Sequence, residues 1–142
     1  MAEVVDAGLI VGDILRDAAD VKAKIFADRI PQSDPKKPPT DMFPAVRIRL
    51  LSGTDEHGLD GSTGVHRQRV QVDVYALTRQ EASSQGIKCH EALRGFKGTK
   101  TEHFVQHIHP LGDFQYRIET PKDGSPNYRH IHSRSYRVTA QE

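Results

Sequence analysis

The chain has 142 residues, a formal net charge of +1 and 36% hydrophobic residues, which fits one folded domain with a modest core. The near-neutral charge argues against a bulk nucleic-acid binder, which would carry a strongly basic surface. No apolar run reaches the roughly 20 residues of a membrane-spanning helix, and the acidic N-terminus lacks a basic leader region. We therefore expect no contact with a membrane. Cys89 is the single cysteine, so we expect folding in a reducing cytosol without an internal disulfide.

The first half of the chain combines one helical pattern with two strand patterns. Residues 4–16 repeat apolar side chains at three- and four-residue steps, as an amphipathic helix does. Residues 31–44 form a Pro-rich arm, because its five prolines exclude a helix and disfavour a central strand. Two predicted strands follow, at about Ala45–Leu51 and His66–Leu77, and a long loop, Ser52–Val65, separates them. The second strand alternates with a period of two, which places three valines on one face and three polar residues on the other, namely Val70, Val72 and Val74 against Arg69, Gln71 and Asp73.

The second half begins with a helix signal. Thr78 and Glu81 form a capping box, and Gly95 and Gly98 end the helical pattern. Three further strands are predicted at about residues 102–110, 114–120 and 128–139. Neither face of the last strand is cleanly apolar, which predicts an edge position or a face covered by a neighbouring subunit.

This order predicts an α+β fold with a mainly antiparallel sheet of four to five strands. Two main helices pack on one side, and the long loop lies between the first two strands. The chain is expected to form a single domain, in which residues 52–65 are a docking loop. Loops of this length are uncommon in compact domains unless they have a function.

The histidines are the strongest indication of metal chemistry. His107 and His109 form one His-x-His pair, and His130 and His132 form another. Side chains two residues apart share a face of a strand, so neighbouring strands would bring four imidazoles to one metal such as zinc. No carboxylate or cysteine stands beside them at ligand spacing. Exposed or interfacial histidines are the favoured interpretation, and a small metal-binding protein is the alternative from another functional class.

The long loop carries a second group of polar residues. A carboxylate and a histidine can perform acid–base chemistry, but the four glycines of this loop give poor preorganisation. The segment also lacks the spacing of a calcium loop, and the chain has no phosphate-binding or nucleophile-elbow motif. We therefore predict a non-enzymatic protein with no catalytic residue, no cofactor and no metal. The loop instead supplies candidate interface residues, namely Asp55, Glu56, His57, Leu59 and Asp60.

Arginines recur along the two predicted strands. Arg47 and Arg49 alternate with apolar residues on the first, and Arg67 and Arg69 begin the second. One interpretation is a solvated sheet face. The other is a basic surface that meets a partner or DNA phosphates, because the guanidinium fork suits both carboxylates and phosphates. These four arginines complete the candidate interface.

Several short stretches occur in the order typical of one protein family. IFADRIP follows the N-terminal helical region, PAVRIRLLSGT forms a Pro-led strand, and DEHGLDG precedes RQRVQVDVYA. A helix with a late Ala-Leu-x-Gly and a final Tyr-x-Val come later, at Ala92, Leu93, Gly95, Tyr136 and Val138. The sequence resembles the bacteriophage tail-completion, or tail-terminator, proteins over nearly its whole length. The Pro-rich arm and the His-rich strands depart from that pattern.

The resemblance implies a virion protein, made in the bacterial host cytoplasm, that forms a hexameric ring on the end of the tail tube. Its partners would be like subunits, the tail tube protein and the head–tail connector or stopper protein. DNA would pass through the lumen without sequence-specific binding. A ring interface joins one surface of a subunit to a different surface of the next subunit. The acidic first twenty residues and the basic last seventeen could form such a pair of surfaces, and the alternative is ordinary solvated surface. The alternatives are a neck or head-completion protein of the same junction and a free DNA-binding module.

Overall fold

The computed structural model describes residues 5–27, 43–58, 61–120 and 128–141. Apart from Phe43 and Pro44, the predicted Pro-rich arm lies outside these ranges. Two helices and six strands occur in the described residues, in the order α1 (Ala7–Asp17), β1 (Lys24–Ala27), β2 (Ala45–Gly58), β3 (Gly61–Ala76), α2 (Arg79–Leu93), β4 (Gly98–Lys100), β5 (His103–Glu119) and β6 (Arg129–Gln141). None of these helices is long and apolar enough to cross a bilayer.

The described strands form one sheet in the order β1-β2-β3-β6-β5-β4. β1 runs parallel to β2, and every other neighbouring pair is antiparallel. The prediction of an α+β fold with a mainly antiparallel sheet is confirmed, but the sheet has six strands instead of four to five. The additional strands, β1 and β4, are four and three residues long. Such short elements carry too few residues to show a period of two.

The prediction of a long loop between the first two strands is wrong. β2 continues to Gly58 and β3 begins at Gly61, so most of residues 52–65 form a β-hairpin. The pairing is irregular between Leu50 and Ser52 and again between Asp55 and His57. An inserted residue shifts the side-chain alternation to the other face. That shift, together with the glycines, concealed the strands in the sequence.

Two further strand predictions need correction. The segments predicted at 102–110 and 114–120 form the single strand β5, whose pairing is irregular between Leu111 and Gln115, where Gly112 has a φ of 75°. For the last strand, the sequence predicts an edge position or a face covered by a neighbouring subunit. The edge position is wrong, because β6 pairs with β3 on one side and β5 on the other. Its polar residues His132 and Ser133 are buried by groups from other elements, which the local pattern does not reveal.

Both helices pack on one face of the sheet, as predicted. A single apolar cluster joins the buried side chains of α1 and α2 to alternate residues of β2, β3, β5 and β6, among them Val46, Ile48, Val70, Val72, Val74, Ile108 and Val138. Asp6 caps α1 by accepting a hydrogen bond from the Gly8 amide at 2.9 Å. Thr78 caps α2, since its hydroxyl accepts from the Glu81 amide at 3.2 Å, which confirms the predicted helix start.

Candidate functional site: the open face of the sheet

The face of the sheet opposite the helices, here called the open face, is mainly polar. Strand register places its side chains in rows that run across β2, β3, β6 and β5. Alternation explains this polarity, because the residues between the apolar core positions point away from the helices. The polar members of the open face are Arg47, Arg49, Arg67, Arg69, Gln71, Asp73, His107, His109, Ser133, Ser135, Arg137 and Thr139.

Asp73 is the centre of a hydrogen-bond network on this face. Its side chain is 0% exposed. Ser133 Oγ donates to Asp73 Oδ1 at 2.6 Å, and Gln71 Nε2 donates to the same oxygen at 2.7 Å. Arg47 donates to Oδ2 from Nη2 at 2.8 Å and from Nε at 3.2 Å. Arg49 Nη2 lies 3.5 Å from Oδ2.

The network keeps the carboxylate of Asp73 ionised. Burial by itself would raise the pKa of Asp73, because a charge is costly away from water. The hydrogen bonds from Ser133, Gln71 and Arg47, with the positive charge of Arg47, outweigh burial and lower this pKa below its usual value. Arg47 also lies over the ring of Tyr75, 5.5 Å from its centroid. The predicted interface residues Arg47 and Arg49 thus both lie next to the carboxylate of Asp73, and their contact with a partner stays a prediction.

The other two predicted arginines lie in a different group. Arg69 of β3 is directly opposite Arg137 of β6, and Arg137 is in turn opposite His109 of β5. The next row along the strands contains Arg67 and Thr139. We call Arg67, Arg69 and Arg137 the arginine cluster. All three are exposed, and they line a concave pocket of about 460 Å³ together with Ser52, Gly53, Gln68 and Leu111.

The predicted docking segment is only partly described. The backbones of Asp55, Glu56 and His57 lie in the distal part of the β2–β3 hairpin. The structure does not describe their side chains, and Leu59 and Asp60 lie outside the described residues. The hypothesis that this segment contacts a partner therefore stays a prediction.

The four histidines do not converge. β5 and β6 are neighbours, as a shared site would require, but the two pairs point to opposite faces. His107 and His109 lie on the open face, with ring centroids 5.5 Å apart. His130 and His132 lie on the helix-covered face, where His132 stacks on Phe114 at 4.6 Å and His130 contacts Tyr116. Among the described residues, no group of three or more His, Cys, Asp or Glu side chains is placed to hold a metal.

Sequence reasoning missed Asp73, Ser133 and Arg137 as members of this site. The alternation of Arg69, Gln71 and Asp73 against three valines gave the correct face for Asp73. Its partners on β2 and β6 depend on strand pairing between residues far apart in the chain. The placement of Arg137 opposite Arg69 has the same origin, since no local signal specifies register across a sheet.

No protein-family model matches the sequence, and no curated protein matches it. A chain from a virion structure shares the fold. It belongs to a structure described as the virion of a native gene transfer agent particle, and it superposes with a TM-score of 0.59. The match covers 95% of this chain and 94% of that chain at 14% sequence identity.

Proposed function

We propose that this protein is a structural subunit of a phage-type virion, which caps the tail tube as a ring, ends tube polymerisation and forms the joint to the head connector. The observation that carries the proposal is the fold shared, over 95% of this chain and 94% of the other, with a chain of a gene transfer agent virion. The likeness therefore extends over nearly the whole of both chains. The position at the tail end, and six subunits for the ring, are what the resemblance to the tail-completion proteins implies.

The edges of the sheet support an assembly role. Ring formation needs two different, complementary surfaces on each subunit. β5 pairs with β4 only over His103–Val105, and the described residues place no strand beside its outer edge from Gln106 to Glu119. Such an edge presents amide and carbonyl groups to another chain. Exposed apolar side chains lie at the distal part of the β5–β6 hairpin, namely Phe114 (51%), Ile118 (57%) and Tyr128 (50%).

The β2–β3 hairpin offers a second surface. At its distal end, β2 and β3 pair only with each other, through His57 with Ser62 and Gly58 with Gly61. The neighbouring strand β6 pairs with β3 only as far as Val65. A two-stranded ribbon is marginally stable by itself. Contact with the tail tube or a neighbouring subunit would stabilise it, so we retain this segment as the docking element.

The titratable groups of the core fit a non-enzymatic role. Burial raises the pKa of the Cys89 thiol to about 12, so this group is protonated and unreactive at neutral pH. Burial lowers the pKa of His90 and of His132, and the charge of Arg134 lowers both further. Arg134 donates to His90 at 2.8 Å, and the Tyr136 hydroxyl lies 2.9 Å from His90 Nδ1. These contacts join α2 to β6, so His90, Arg134 and Tyr136 together hold the helix on the sheet.

The test is complementation of particles assembled without the protein. Without it, electron microscopy should show overlong tubes and heads that lack tails. Wild-type protein should restore tails of uniform length joined to heads. If the wild-type protein changes neither tube length nor head joining, the proposed function is wrong.

A shortened hairpin tests the docking element. Residues 56–65 would be replaced by Asn-Gly, which forms a tight turn between the paired residues Asp55 and His66. We expect this variant to unfold at the wild-type temperature but to leave tubes overlong and unjoined. Full restoration by the shortened variant would show that the hairpin is not the docking element, and loss of folding would show that the hairpin belongs to the core.

A further inference from the structure

We propose that the arginine cluster binds the phosphate backbone of double-stranded DNA without reading its sequence. This inference rests on the proposed function, because a joint between head and tail is a place through which packaged DNA passes. It adds the face of the subunit that meets the DNA and the residues that make the contact.

The first observation is a repulsion that the described residues leave uncompensated. Arg69 and Arg137 lie directly opposite each other on neighbouring strands, with their Cα atoms about 5 Å apart. Like charges in this position destabilise a sheet. Within the described ranges, neither guanidinium makes an ion pair or a hydrogen bond. A bound anion would turn this repulsion into two favourable contacts.

Among the side chains that the structure describes, no carboxylate pairs with Arg69 or Arg137, although Asp113 lines the same trough as Arg69. Asp73 is the nearest carboxylate on the same strand, and its oxygens already accept hydrogen bonds from Arg47, Gln71 and Ser133. The open face is therefore basic around Arg69 and Arg137, although the net charge of the whole chain is +1. The near-neutral total does not reveal this local excess.

The second observation is the spacing and the surrounding chemistry. Arg67 lies two residues from Arg69, or about 7 Å along the strand, which spreads the charge along the face. Each strand of DNA carries one charge per about 3.4 Å of helix axis, so neighbouring phosphates can meet both rows. A trough continues from Arg69, and its polar lining consists of Gln71, Asp113, Gln115, Ser133, Arg134 and Ser135. Gln115 and Ser135 have side chains that can donate hydrogen bonds to phosphate oxygens, whereas Gln71 and Ser133 already donate to Asp73.

DNA fits this surface better than an acidic protein does. Protein interfaces depend on buried aromatic or aliphatic anchors. Among the described residues, Leu111 is the single apolar side chain that lines the pocket of the arginine cluster. The exposed apolar residues Phe114 and Ile118 lie toward the other face, beside His132 and opposite His130. Protein contacts are thus assigned to that region and phosphate contacts to the open face.

The experiment measures binding of the purified protein to a duplex of arbitrary sequence by fluorescence anisotropy, over about 50 to 200 mM salt. Wild-type protein should bind with an affinity that falls linearly on a double-logarithmic salt plot. The variant Arg69→Gln/Arg137→Gln should bind more weakly to every duplex and lower the steepness of that plot by about two, since each phosphate contact contributes about 0.9. Its melting temperature should equal or exceed that of wild type, because the repulsion is gone.

Two matched controls accompany this variant. Arg69→Lys/Arg137→Lys keeps both charges and should keep the wild-type salt slope. Arg16→Gln removes one exposed charge from α1, on the opposite side of the sheet, and should leave DNA binding unchanged.

Three results would overturn the inference: no DNA binding by wild-type protein, an unchanged salt slope in the glutamine variant, or loss of ring assembly in that variant with DNA binding intact. The last result would assign the cluster to an acidic protein surface. Complementation by wild-type protein tests the proposed function separately. If wild type restores joined tails while the glutamine variant binds DNA as before, the inference fails and the function stands. If wild type leaves the tails unchanged, the function fails whatever the salt slope shows.

Discussion

Replacement of Asp73 by alanine should destabilise the fold strongly. The substitution removes the acceptor of the hydrogen bonds from Ser133, Gln71 and Arg47. It leaves the hydroxyl of the buried residue Ser133 without its partner. Breaking a buried charged network costs about 3–5 kcal/mol. The Arg47 side chain is 23% exposed, so water partly replaces the carboxylate, and we expect the lower end, about 3 kcal/mol. Arg49 is 37% exposed and adds little.

Circular dichroism is the suitable probe, because the chain has no tryptophan. A loss of about 3 kcal/mol should lower the melting temperature by about 10 °C. The matched control is Asp113→Ala, which removes an exposed carboxylate and should change stability by less than about 0.5 kcal/mol. Replacing Arg47 and Asp73 together should cost less than the sum of the single changes, since the two side chains act as one unit. A cost below about 1 kcal/mol for Asp73→Ala would refute the structural role of the network.

The same carboxylate predicts a pH dependence. Because the pKa of Asp73 is lower in the folded than in the unfolded chain, its ionisation stabilises the fold at pH values above the unfolded pKa. This contribution is lost as the pH falls through the folded pKa. Acid should therefore destabilise wild type more steeply than Asp73→Ala, as measured by urea unfolding at several pH values. Parallel curves for the two proteins would contradict the assignment.

Three other predictions concern α2. Gly86→Ala should cost about 1–3 kcal/mol in urea unfolding, because a Cβ at this position would overlap the imidazole of His132. The control Gly12→Ala in α1 should be neutral or stabilising, because its Cβ would meet only the flexible end of Arg16 at 3.3 Å and make ordinary contacts with Ile48. Equal effects of the two substitutions would disprove this packing. Thr78→Ala should cost about 1 kcal/mol by loss of the N-cap while Thr78→Ser costs little, and identical melting curves for the two would refute the cap. Cys89 should resist a thiol reagent at neutral pH until the protein is unfolded in urea, and rapid labelling of the native protein would show that α2 does not bury it.

Local patterns predicted the parts of the fold that depend on local physics. The alternation of Val70, Val72 and Val74 with polar residues correctly divided β3 between the core and the open face. The capping box at Thr78 gave the start of α2. These signals arise within a few residues, so a single sequence contains them.

The remaining features depend on contacts between distant segments. β6 resembled an edge strand because His132 and Ser133 are polar, yet they are buried against Gly86 and Asp73. The strands beyond Leu50 were hidden by irregular pairing and glycines. For the candidate site, the sequence placed Arg69 on a polar face, but its position opposite Arg137 follows from a register that no local pattern encodes.

The central claim is tested most directly by cryo-electron microscopy of the assembled particle that contains this protein. We expect density for a closed ring of these subunits between the last ring of the tail tube and the head connector. Density for the subunit within the capsid shell, within the connector itself or along the length of the tail tube would contradict the account.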